Sequence, residues 1–118
     1  MKCLQHATVF FTGLTLGMFL LQPLQAESAG DPAKGKAIYE KHCLACHGQQ
    51  GKGDGPTGKM LKPPVADFTS PTSKKKSETD LRQIIENGKT GTAMVPWKAQ
   101  LPAADIDAVL AYLATLRK

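Results

Sequence analysis

The chain has 118 residues, 42% of them hydrophobic, and its 15 lysines and arginines against 10 aspartates and glutamates give a formal charge of +5. That excess is mild and does not suit a nucleic-acid-binding surface. Setting the first 26 residues aside as a leader leaves about 92, enough for one domain with a modest core.

The leader is read from Lys2, an apolar run from Ala7 to Leu21, the break at Pro23, and the small residue closing Leu24-Gln25-Ala26. This pattern predicts an exported chain, cleaved after Ala26, working in a periplasm. The apolar run is about 15 residues, short of the roughly 20 that a spanning helix needs. No stable membrane span is therefore expected after cleavage. Cys3 lies ahead of the apolar run and leaves with the leader, so the mature chain, residues 27–118, keeps two cysteines.

Asp31 and Pro32 stand as N-cap and first-turn proline of a helix running to about Lys41, with Gly35, Ile38 and Tyr39 on one side. Gly48 to Ser77 is rich in Gly, Pro, Ser, Thr and Lys and lacks periodicity. It reads as a long wrapped loop with room for one short helical turn. Loops of that length in a compact domain usually serve a function or cover something. Ser77 with Asp80 predicts the start of a second helix over Glu78–Asn87, with Leu81, Ile84 and Ile85 as its apolar stripe and Gly88 as its stop. A second loop carries Met94, Pro96 and Trp97. Pro102 then opens a last helix whose Ile106, Val109, Leu110, Leu113 and Leu116 face inward. No strand pattern or internal repeat appears.

Between the first helix and the long loop lies Cys43-Leu44-Ala45-Cys46-His47, the Cys-x-x-Cys-His arrangement for attaching a c-type haem. Residues three and four apart share a helix face, so both thiols can bond the vinyl groups while His47 reaches the iron. A large apolar prosthetic group would also complete the modest core. A redox disulfide would fit an oxidising compartment, but no βαβ pattern surrounds the pair. Zinc would need four good ligands, and beyond Cys43, Cys46 and His47 only the poorly directed His42 is at hand.

The first helix, Cys43-x-x-Cys46-His47-Gly48, the run Gly51-Lys-Gly-Asp-Gly-Pro56, Gly91-Thr-Ala-Met94 and the closing helix together resemble class I cytochromes c. The resemblance covers most of residues 31–118. It implies an all-α cytochrome c fold, three to four helices and long loops wrapped around one covalent haem. It implies no enzyme, but a carrier of single electrons serving as a shuttle or as a small subunit of a larger oxidoreductase or respiratory chain.

The same resemblance makes Met94 the second axial iron ligand opposite His47, with Met60 as competitor. Many relatives place proline directly after this methionine, where the chain has Val95. The soft thioether would close the iron to outside ligands and favour its ferrous state. Trp97 either donates its indole N–H to a haem propionate or packs on the haem. Gly35, Tyr39 and Tyr112 match the positions where the family's terminal helices cross. A proline carbonyl, Pro63 or Pro64, is the family's partner for the other nitrogen of His47.

The expected partners are redox proteins. Lys74-Lys75-Lys76, with Lys52, Lys59, Lys62, Lys89 and Lys98, offers a surface for an acidic one or a merely solvated face. The rival reading is a haem-based sensor or an enzyme with an exchangeable sixth ligand. A module without haem would leave the long loop nothing to cover.

Overall fold

The computed structural model describes residues 30–118. The leader and its cleavage site lie outside the described residues. Five helices follow in order: α1 Pro32–His42, α2 Leu44–His47, α3 Pro71–Lys74, α4 Glu78–Asn87 and α5 Ala103–Leu116, with a 3-10 turn at Gly58–Met60. No strand occurs among the described residues, so the fold is all-α.

The Asp31 carboxylate accepts from the Ala33 amide at 2.9 Å and Pro32 fills the first turn, so α1 begins where its capping residues stand. It ends one residue beyond the expected Lys41, and Cys43 turns the chain into the single helical turn of α2. α4 starts with a full capping box. Ser77 Oγ accepts from the Asp80 amide, and the Asp80 carboxylate accepts from the Ser77 amide. It stops at Gly88, whose φ of 72° suits glycine. The long loop contains two short turns rather than one, because Ser70 and Pro71 supply α3 with a cap and a first-turn proline of its own.

α1 crosses α5 at Gly35, where an added Cβ would sit 2.5 Å from the carbonyl carbon of Ala108 and closer still to its oxygen. Only a glycine lets the two backbones come this near. One turn on, the rings of Tyr39 and Tyr112 meet edge to face with centroids 5.2 Å apart. α4 lies against α5 through Leu81 and Ile85, and through an ion pair of Arg82 with Asp107 that Glu86 joins at 3.8 Å. Ile106, Val109, Leu110 and Leu113 of α5 are buried as expected, together with Tyr39, Phe68 and Leu101; Leu116 is half-buried at the edge of the same core.

Candidate functional site

α2 and its N-cap residue present Cys43, Cys46 and His47 to a cavity of about 370 Å³. Its walls come from α1, the long loop, α4, the second loop and α5, and most of the lining is apolar. The buried Leu81, Ile85, Val109 and Leu113 thus turn to one another on one side and to the cavity on the other.

The motif is held from the loop side. The Thr57 amide donates to the Ala45 carbonyl at 2.9 Å and the Gly53 amide to the His47 carbonyl at 2.9 Å. The Tyr39 hydroxyl donates to the Gly48 carbonyl at 2.6 Å. Gly58 lies so close to the Cys46 carbonyl that any side chain there would collide with it. Each bond takes up a carbonyl at the end of a helix too short to satisfy its own. The four-residue turn is therefore stabilised by its surroundings more than by helix propensity.

Both thiols are free. Burial, then the neighbouring Cys46, pushes the Cys43 thiol up to about 11, so it stays protonated at neutral pH. Burial also holds His47 below the usual histidine range, partly countered by the Ala66 backbone. A neutral imidazole keeps a lone pair free for a metal. Its Nδ1 is buried with no hydrogen-bond partner. Pro63, Pro64 and Ala66 all line the cavity. The Phe68 ring stacks on the His47 ring, 13° from parallel with centroids 4.7 Å apart. Nothing in the patternless loop marked Phe68 for that place, because it is set by the Phe68 amide bonding the Gly51 carbonyl at 2.7 Å.

Met94 lines the cavity and is half-buried. Its amide donates to Thr92 Oγ1 at 3.1 Å, and its carbonyl accepts from the Lys89 amide at 3.0 Å. Met60 is 77% exposed and takes no part in the lining. Trp97 lines the cavity, fixed by its amide on the Ile85 carbonyl at 2.9 Å, and meets His42 edge to face.

The family described as cytochrome c oxidase, cbb3-type, subunit III matches residues 30–113. The chain belongs to this family of c-type cytochromes. Cytochrome c-554(547) of Halothiobacillus neapolitanus is 35% identical over 96 residues, 75% of this chain and all of that protein. Dihydro-heme d1 dehydrogenase of Pseudomonas aeruginosa is 37% identical over 103 residues, 86% of this chain but 18% of the dehydrogenase. Among solved structures, the Kuenenia stuttgartiensis reducing HAO-like protein complex Kustc0457/Kustc0458 superposes with a TM-score of 0.65 at 26% identity, over 75% of this chain and 44% of that one.

The cytochrome carries haem c and its iron, attached covalently, and works in electron transfer. Its own residues fit that group. Two free thiols and a neutral histidine open onto one apolar cavity, and the histidine's second nitrogen is buried away from water. Cys43 and Cys46 would hold the haem as thioethers and His47 would hold the iron.

Proposed function

We propose that the cytochrome is an exported, periplasmic electron carrier and not an enzyme, with His47 and Met94 as the two axial iron ligands. The haem supplies a one-electron ferric/ferrous couple. The protein's part is to keep both ligands in place and water away. The observation that carries the reading is that Met94 shares one cavity with both thiols and His47, whereas Met60 stands in solvent. Two ligands from the protein leave no coordination position for substrate, which favours transfer over catalysis.

A soluble shuttle and a small oxidoreductase subunit are both consistent with a domain that spans the whole of one relative and 18% of another. Lys52, Lys59, Lys62, Lys75 and Lys98 are exposed and make no ion pair among the described residues, which supports docking to an acidic redox partner.

The test is expression in a host with cytochrome c maturation machinery, followed by ferric and ferrous absorption spectra with and without cyanide or carbon monoxide. The expected spectrum is low-spin with the weak methionine-to-iron band, lost in Met94→Ala and kept in Met60→Ala. Rapid ligand binding by the unmodified protein would replace this reading with a sensor or an enzyme whose sixth ligand exchanges.

A further inference from the structure

The three consecutive lysines 74–76 have three different surroundings. All three are exposed, but Lys74 Nζ donates to the Lys118 carbonyl at 2.7 Å, Lys75 does not line the haem cavity, and Lys76 lines both that cavity and a shallow one beside it with Asp80 and Asn87. Ser73, one helical turn back, lines the same wall at 5% exposure, and it is the one polar residue buried among the described residues. Lys76 makes no ion pair among the described residues. Asp80, whose ionisation the Lys76 charge helps to lower, accepts from the Ser77 amide and hydroxyl in the capping box.

The segment is anchored from behind. Arg117, just past α5, donates through Nη2 to the Ser73 carbonyl and to the Lys76 carbonyl, each at 2.7 Å. One guanidinium thus fixes the backbone at both residues that face the cavity. Haem is apolar apart from its two propionate carboxylates, and a carboxylate in an apolar cavity needs charge-assisted donors. Lys76 and Ser73 supply an ammonium and a hydroxyl on one wall.

We propose that Ser73 and Lys76, positioned by Arg117, receive a haem propionate. This rests on haem attachment alone and is independent of which methionine binds the iron. Removing the ammonium leaves more negative charge at the haem and so favours the ferric state. The control is Lys75, which carries the same charge on the same turn but does not line the cavity.

The experiment is a spectroelectrochemical titration of the matured holoprotein, with the methionine-to-iron band recorded on every sample. Lys76→Gln should lower the ferrous-to-ferric ratio at a fixed applied potential several-fold more than Lys75→Gln, and Lys76→Arg should restore it. Equal shifts in the two glutamine variants, or no shift in either, would overturn the proposal. Ser73→Ala changes no charge and should move the propionate methylene resonances in the NMR spectrum; unmoved resonances remove Ser73 from the site. In an Arg117→Ala background, or Arg117→Gln if the alanine variant does not accumulate, the effect of Lys76→Gln should shrink. An undiminished effect would show that Arg117 does not position the wall.

Discussion

Gly35→Ala tests how closely the terminal helices must approach. The new methyl would begin 2.5 Å from the carbonyl carbon of Ala108 and 3.0 Å from Cβ of Tyr112. Ordinary carbon contacts lie at about 3.5–4.0 Å, so α1 and α5 would have to part by about 1–1.5 Å at the crossing. The obstacle is helix backbone and cannot rotate away as a side chain would. Parting the helices loosens the contacts of Tyr39, Ile106 and Val109, the most completely buried large side chains among the described residues. Overpacking of this kind costs about 1–3 kcal/mol, and alanine returns about 1 kcal/mol of helix propensity. The open crossing also weakens the edge-to-face pair of Tyr39 and Tyr112, worth about 0.5–1.5 kcal/mol beyond its buried area. The net expectation is a loss of about 2 kcal/mol, read from guanidinium unfolding of the holoprotein at equal m-value. A loss under about 0.5 kcal/mol, or a gain, would refute the argument by showing that helix spacing relaxes freely and propensity decides.

Tyr39→Phe leaves the buried Gly48 carbonyl without its donor and should cost about 1–3 kcal/mol by the same unfolding assay. Burial is the largest cause that raises the ionisation of Tyr39 above the ordinary tyrosine range, and the charges of Tyr112 and Asp54 add to it. The unfolded chain therefore releases this proton first. Its contribution is complete below about pH 10 and is lost as pH rises from there toward the folded-state value. The tyrosine-specific part of that alkaline fall should be absent in Tyr39→Phe. Ser77→Ala removes the α4 capping box and should cost about 0.5–2 kcal/mol, visible as a lower thermal midpoint. Electron transfer to an acidic redox protein should slow as salt rises, because screening cuts the reach of surface charge to about 10 Å at 0.1 M. A salt-independent rate in stopped-flow mixing would remove the lysine surface from docking.

The elements that could be read from the sequence are those whose signals are local. The capping box of α4, the proline openings of α1 and α5 and the inward stripe Ile106, Val109, Leu110, Leu113 are each set by residues within a turn or two of one another. The haem motif is of the same kind, since its chemistry demands a fixed spacing of two thiols and an imidazole on one turn. The loop of residues 48–77 is different. Its path follows backbone bonds to distant carbonyls, such as Thr57 to Ala45 and Phe68 to Gly51, and any residue but proline can donate those. Side-chain pattern therefore says nothing about where Phe68 or Ala66 arrives, although both lie against His47.

The lysine run shows the same limit from the other side. The sequence offers the three lysines as one surface, for docking or merely solvated, yet two long-range contacts divide it: Lys74 bonds the Lys118 carbonyl, and Arg117 binds the backbone of Ser73 and Lys76. Those partners lie more than forty positions away in the chain. The folded return of α5 past α3 sets which of the three lysines lines the cavity. A charge count that treats the three as equal would miss that Lys76 alone of them lines the cavity.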